Sequence, residues 1–312
     1  MSAPRRGATA LSGILVIDKP AGMTSHDVVA RLRRSTGERR IGHAGTLDPA
    51  ATGVLVVLVG SATRLTPALT DAEKSYVARI TFGTRTDTDD AEGQPVEVLA
   101  VPPALRDEKY AAEVIAALLG AHDQLPPAYS AIKQAGVSAH RAARAGNPLM
   151  LESRQIEILD AALLGIVNDP DVSWDTSFTV SKGTYIRAIA RDLGTALGTA
   201  AHLSALRRTG SGRLSLADAH ALDEVTGAGA GCARFFADPI EALGLPFRDL
   251  TPDEVDRVRV GAPVPVGHEC ADPGSQTLVA MADADRLYAL YSLSADGESL
   301  QARTVLAGGV TR

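Results

Sequence analysis

Asp48 stands in the run GHAGTLDPAATGVL, residues 42 to 55, flanked by glycines and just ahead of the apolar stretch Val54 to Val59. Glycines 42, 45 and 53 permit a positive φ or the close approach of a ligand, while Pro49 biases Asp48 away from the helical region. Such a loop is stiff on one side and open on the other, which aims a side chain. A carboxylate at the lip of a buried strand is equipped for nucleophilic attack or general acid–base work. An ordinary Asp-Pro turn is the competing reading. Four other segments bear on the choice: Lys74-Ser75-Tyr76, the acidic loop Thr86 to Gly93, Ser181 to Arg187 (SKGTYIR), and Leu206-Arg207-Arg208.

The pattern of the chain supplies elements to carry these residues. Gly13 to Asp18 (GILVID) reads as a short strand, and Thr24 or Ser25 caps a helix running to about Arg34, with Val28, Val29 and Leu32 on its apolar face. Thr52 to Val59 reads as a buried strand, Ala62 to Leu69 as a helix, Ser75 to Phe82 as an alternating strand, and Gly83 to Gly93 as a loop. A helix is expected near Ala111 to Leu119. A projecting lobe over about 124–152 follows, marked by Pro126-Pro127, Gly136 and Gly146. Strand patterns recur at Ile156 to Ile166 and Trp174 to Val180, a helical pattern at Thr184 to Leu197, and a last short strand at Leu214 to Leu216. Strands and helices without strict alternation predict an α+β domain over 13–240, built on a mainly antiparallel mixed sheet flanked by helices. Gly227 to Phe247 reads as a linker zone. Residues 247–312, with short segments such as Thr277 to Met281 and Tyr288 to Leu293, read as a small β-rich domain, and residues 1–12 as a basic flexible arm.

The chain has 312 residues, 45% hydrophobic and 22% charged, which suits a globular protein of one large and one small domain. No apolar stretch approaches the roughly 20 residues that span a bilayer, and the first twelve residues lack the apolar core of a secretory signal. Cys232 and Cys270 are the only cysteines and form no C-x-x-C pair. That pattern predicts neither a zinc site nor a disulfide framework, and it fits a reducing cytoplasm. The net charge of −6 hides a polarity: residues 215 to 312 hold 15 acidic against 7 basic side chains, whereas residues 1 to 40 hold eight basic against three acidic. Phosphate neutralisation is local, so the basic cluster counts for more than the sum.

The ordered segments GILVIDKPAGMTSHDVV, GHAGTLDPAATGVL, KSYVARITFGTRTDTDDAEG, PPAYSAIKQAG, SKGTYIRAIARDLG and AHLSALRRTGSG, together spanning about residues 11 to 216, resemble the bacterial tRNA pseudouridine-55 synthases, the TruB family. The resemblance implies an enzyme that isomerises one uridine in the T loop of tRNA with no metal and no cofactor, acting on tRNA alone as a monomer. It implies Asp48 as the catalytic carboxylate, either attacking C1' or abstracting the 2' proton. Tyr76 is implied to pack on the uracil and handle the C5 proton. Arg187 is the family's arginine, and it is expected to pair with Asp48 and hold it ionised. His43 stacks on a base as the uridine leaves the helix, Leu206 presses on the uracil, and Lys19, Gly45, Thr46 and Tyr185 lie around the substrate. Candidates for the RNA backbone are Arg33, Arg39 and Arg40, Lys133, Arg141 and Arg144 on the lobe, and Arg207 and Arg208. The lobe carries His140 where the family usually has an aromatic residue, a departure touching its stacking contact. The 247–312 unit corresponds in position to a small PUA-like RNA-binding domain.

Three alternatives stand beside this reading. A non-catalytic RNA-binding or tRNA-folding protein would use the same basic groups, but has little reason to place an acid near phosphate. A small-molecule enzyme using Gly42-x-x-Gly45 as a phosphate loop matches neither established glycine spacing. A guide-RNA-dependent enzyme of the same superfamily is disfavoured by the bacterial motif order and the lobe.

Overall fold

A computed structural model describes residues 11–130, 132–134, 136–147, 149–267 and 278–312, which form two compact units. The first is built from the chain up to Ala72 and from Gly210 onward; the second, Glu73–Thr209, is inserted between those two stretches. Most of the basic arm, and Cys270, lie outside the described residues, as do residues 268–277.

In the first unit, β1 (Gly13–Lys19) pairs antiparallel with β3 (Thr52–Val59), and β2 (Ile41–His43) also pairs antiparallel with β3. Both long strands are apolar on successive residues because both faces are covered. Between them, α1 (Ser25–Thr36) starts at a capping box in which Thr24 and Asp27 each satisfy the other's backbone N–H, and it stops at Gly37 in the left-handed region. The expected helix at Ala62 to Leu69 is instead a 3-10 turn, Gly60–Leu65, followed by the short α2 (Thr66–Thr70). Pro67, which lacks an N–H, fits the first turn of α2 and marks the break.

The second unit carries β4 (Lys74–Phe82), then a hairpin of β5 (Thr84–Thr86) and β6 (Pro95–Val98) where the sequence reads as loop; the polar turn 87–94 is its tip. α3 (Glu108–Ala116) begins at the Asp107 cap, and β7 (Gly120–Gln124) leads into a lobe. The lobe holds the two-residue strands β8 (Lys133–Gln134) and β9 (Val137–Ser138) and α4 (Ala139–Arg144). The long β10 (Arg154–Val167) and β11 (Ser173–Val180) return, α5 (Ile186–Ala196) follows, and β12 (Ala201–Ser211) carries the chain out. The strand order is β12-β4-β11-β10-β7. Its core is centred on Trp174, which meets Phe82 edge-on at 4.8 Å between ring centroids and donates its indole N–H to Leu105 O at 2.8 Å.

Back in the first unit, β12 closes a tight hairpin with β13 (Leu214–Ser215), and β14 (His220–Ala221) lies parallel to β1. The stretch read as a linker is ordered structure: α6 (Leu222–Gly227), a 3-10 turn at Gly229–Phe235, β15 (Phe236–Ala237) paired with β1, and α7 (Pro239–Leu243). The glycines there serve turns, and the Phe236 ring occupies the place a side chain on Gly13 would need. The β-rich C-terminal part holds β16 (Phe247–Asp249), α8 (Pro252–Arg259), β17 (Val264–Pro265), β18 (Val279–Ala282), β19 (Arg286–Leu293) and β20 (Ser299–Thr311), ordered β16-β18-β19-β20-β17. Ala280, Leu290, Leu306 and Val310 of this sheet share one apolar core with Ile14, Val16 and Val56. Ser61 donates to Ala307 O, and Arg64 to Val305 O at 2.7 Å.

Gly194 of α5 faces Ala201 so closely that an added Cβ would lie 2.7 Å from both the Cβ and the backbone nitrogen of Ala201. Gly194→Ala should therefore destabilise the protein, because overpacking at about 1–3 kcal/mol outweighs the ~1 kcal/mol that alanine gains in helix propensity. A lower urea midpoint for unfolding checks this.

Candidate active site

The loop between β2 and β3 is built from fixed points. Gly45 and Gly53 have φ of 103° and 99°, so two of the three glycines singled out use the left-handed freedom, while Gly42 lies in β2 without it. Ala44 N–H donates to Val56 O at 2.9 Å, and Ala51 N–H to Asp48 O at 3.1 Å. Leu47, which is buried, exchanges two hydrogen bonds with Ser25 at the start of α1: Ser25 Oγ donates to Leu47 O at 3.1 Å, and Leu47 N–H donates to Ser25 Oγ at 2.9 Å. On the other side of Asp48, Pro49 O accepts from Gly22 N–H at 3.0 Å and from the ammonium of Lys19 at 3.1 Å. Both neighbours of Asp48 are thus tied to the rest of the unit, and the backbone that carries this half-buried residue is held in place.

Lys19 lies at the end of β1, opposite Gly53, with no exposed surface. Besides Pro49 O, its ammonium donates to Pro20 O at 2.9 Å and to Met23 O at 2.8 Å. It acts on the loop from inside. His43, half-buried in β2, meets the ring of His26 edge-on at 5.8 Å between centroids. Gly45 is half-buried and Thr46 exposed. The structure therefore gathers Lys19, His43, Gly45, Thr46 and Asp48 in and around one loop.

Tyr76, Tyr185, Arg187 and Leu206 belong to the second unit. Tyr76 pairs with Phe178 across β4 and β11, and both Tyr76 and Leu206 pack at the border of the Trp174 core. Tyr185 caps α5, and its backbone is clamped by the buried Gln124, whose amide donates to Tyr185 O at 3.1 Å and accepts from Tyr185 N–H at 2.9 Å. Arg187 is only 6% exposed. Its guanidinium donates to Thr88 O at 2.8 Å and Tyr129 O at 2.9 Å, and its Nη1 lies 3.5 Å from Asp90 Oδ2. Sequence reading singled out the acidic loop but not Asp90 as a carboxylate for this arginine, nor Gln124 as a brace. No residue-type pattern distinguishes either from its neighbours.

The basic candidates divide. Arg39, Arg141 and Arg144 are exposed. Arg33 and Arg40 are exposed but partly engaged, Arg33 donating to Ile41 O at 2.6 Å and Arg40 to Thr63 Oγ1 at 3.1 Å. Arg207 is half-buried, and the side chain of Lys133 lies outside the described residues. Arg208 is a correction: it is 1% exposed, so its guanidinium is enclosed by protein and does not present itself to an external phosphate. His140 is exposed on α4. Among the described residues no group of His, Cys, Asp or Glu is arranged to hold a metal ion, and no helix is long and apolar enough to cross a membrane.

Residues 33–186 match the family model described as TruB family pseudouridylate synthase, N-terminal domain, and residues 187–234 match tRNA pseudouridylate synthase B C-terminal domain. The tRNA pseudouridine synthase B of Mycobacterium sp. (strain KMS) is 44% identical over 89% of this chain and 94% of its own, and that of Thermobifida fusca is 46% identical over 82% and 88%. Among solved structures, a Cbf5-Nop10-Gar1 complex matches with a TM-score of 0.68 at 27% identity, covering 95% of this chain and 85% of that one. An H/ACA RNP bound to a substrate RNA containing 2'-deoxyuridine matches with the same TM-score at 25% identity, covering 94% and 84%. Fold and loop together are those of a pseudouridine synthase. The chain belongs to the TruB family.

Replacing Lys19 by the near-isosteric Met leaves carbonyls of Pro20, Met23 and Pro49 without that donor. Pro49 O keeps the Gly22 N–H, so the loss falls mainly on Pro20 O and Met23 O; Lys19→Met should lose about 1–3 kcal/mol of stability and should lower activity under conditions where it remains folded. Chemical denaturation alongside a rate measurement checks both.

Proposed function

We propose that this protein converts uridine-55 in the T loop of tRNA to pseudouridine, with Asp48 as the catalytic carboxylate. The carrying observation is the loop itself: Leu47 and Pro49 are both anchored, through Ser25 and through Lys19 and Gly22, so the backbone from which Asp48 projects is preorganised. The curated relatives named tRNA pseudouridine synthase B, at 44% and 46% identity over most of the chain, support tRNA as the substrate. A protein that only binds RNA gains nothing from such a carboxylate, which repels phosphate.

In this reading the uridine is everted from the tRNA elbow at a cost of a few kcal/mol, offset by contacts to the base. Asp48 attacks C1' as the N1–C1' bond breaks, or removes the 2' proton to leave a glycal; the uracil turns, and C5 joins C1' as the Asp48–C1' bond breaks or as Asp48 returns the proton to C2'. The C5 proton then leaves while N1 regains one, so nothing is oxidised and no co-substrate is consumed. Tyr76 stacks on the uracil and its oxygen handles the C5 proton; Arg187 contributes the site's cation. His43, Leu206, Gly45, Thr46 and Tyr185 surround the nucleoside, the enclosed Lys19 supports the Asp48 loop from behind and not as a direct contact, and Arg39, Arg141 and Arg144 meet the backbone. The enzyme acts in the cytoplasm as a monomer on bare tRNA, with no guide RNA.

Incubation with an unmodified T-arm stem-loop, without other protein or RNA, should yield pseudouridine. Asp48→Asn should abolish product while leaving tRNA affinity within about twofold; an unchanged rate would remove Asp48 from the chemistry, and no turnover by the wild type would reject the proposal. Arg141→Ala and Arg144→Ala should each weaken binding and flatten the slope of log affinity against log salt by about one.

A further inference from the structure

Helix α5 presents two arginines one turn apart, and only the first is accounted for by the chemistry above. Arg191 is almost as enclosed as Arg187, with 14% of its side chain exposed. Its Nη1 lies 3.1 Å from Asp89 Oδ2, its Nη2 donates to Leu125 O at 2.8 Å, and its Nε donates to Asp192 Oδ1 at 2.8 Å. The two arginines thus grip the same two segments in parallel: Arg187 holds Thr88 and Tyr129, and Arg191 holds Asp89 and Leu125.

Asp89 is itself unusual. Its φ of 61° is the one positive value at a non-glycine position among the described residues, and its side chain is only 10% exposed. Its backbone is fixed as well, since its N–H donates to Thr86 O at 3.3 Å and its carbonyl accepts from Leu203 N–H at 3.0 Å. Burial pushes the Asp89 carboxyl above the usual carboxylate range, and the adjacent Arg191 opposes that shift. A left-handed aspartate in a dry setting persists only where surrounding groups over-determine it. The next residue is Asp90, whose carboxylate lies beside Arg187. The conformation at Asp89 therefore decides where Asp90 and Thr88 O stand relative to Arg187.

We propose that Arg191 and Asp89 form a positioning pair for the isomerisation: the ion pair holds Asp89 in the left-handed conformation, which places Asp90 and Thr88 against Arg187. This inference rests on the pseudouridine synthase reading, and neither residue touches the substrate.

The test uses the full-length protein and an unmodified T-arm stem-loop, reading single-turnover rate and RNA affinity separately. Arg191→Ala should slow the rate about tenfold or more with affinity within about twofold, since small displacements of a catalytic constellation cost that much. The decisive arm adds Asp89→Gly. Glycine takes φ near 60° without a partner and also removes the carboxylate that Arg191→Ala leaves unpaired, so the double variant should recover to within about threefold of wild type. An Arg191→Ala rate equal to wild type, or a double variant no faster than the single one, overturns the proposal. Should Arg191→Ala fail to fold, Arg191→Lys takes its place, because a single ammonium cannot span both Asp89 and Leu125 O. Rescue by Asp89→Gly then supports the pair, and its failure overturns it. Wild type that makes no pseudouridine overturns the proposed function and this inference with it; an active wild type with unresponsive variants overturns the inference alone.

Discussion

An ammonium group shut away from water is costly, and Lys19 is such a group. Removing a cation from solvent costs several kcal/mol even after relaxation, so the fold must supply compensating dipoles. It does so with backbone carbonyls of Pro20, Met23 and Pro49, drawn from two loops distant in sequence. Each loop is thereby held by the other. The turn after β1 cannot relax without exposing the charge to unfilled space, and the Asp48 loop cannot move without withdrawing Pro49. Ser25 repeats the logic on the opposite side, where one hydroxyl both donates to and accepts from Leu47. The rigidity around Asp48 thus follows from the cost of leaving buried polar groups unmatched as well as from the glycines and proline of the loop itself.

The inserted unit solves the same problem with guanidinium groups. A planar fork with several donors can bind two carbonyls and still lie near a carboxylate, which suits Arg187 and Arg191 for joining the acidic loop to the base of the lobe. Gln124 adds a neutral clamp at the start of the helix that carries both. In each unit, residues expected to meet the substrate rest on a layer of backbone contacts made by side chains that do not.

Much of this was legible from the chain. Apolar runs and alternation marked β1, β3, β4, β10 and β11, because a covered strand needs a continuous or period-two apolar pattern. Thr24 and Ser25 marked the start of α1 through their capping chemistry, Thr24 being the cap, and the glycines and Pro49 around Asp48 marked a shaped loop. Other elements carried no such signal. The stretch LRRTGS in β12 has no apolar alternation; its place in the sheet comes from backbone pairing. The hairpin β5–β6 is exposed along Pro95–Val98 and lacks a buried face to betray it. The glycines of 227–231 look like a tether until Phe236 is found over Gly13. Within the candidate site, the Asp48 loop and Arg187 stood out by their motifs, whereas Asp90, Gln124 and Arg191 did not, since long-range bonds leave no trace in residue spacing. Arg208 shows the converse: charge alone did not reveal that it is enclosed.

The order in which the chain emerges during synthesis meets this architecture awkwardly. Strands β1 and β3 can pair early, yet the apolar side chains of Ile14, Val16 and Val56 share their core with Leu290, Leu306 and Val310, which are made more than two hundred residues later. The insertion, whose core is drawn wholly from its own stretch, can mature first while that earlier ribbon waits uncovered at the ribosome. Its greasy surface is then a temporary liability for the nascent protein, and the final strands act as the clasp that ends its exposure.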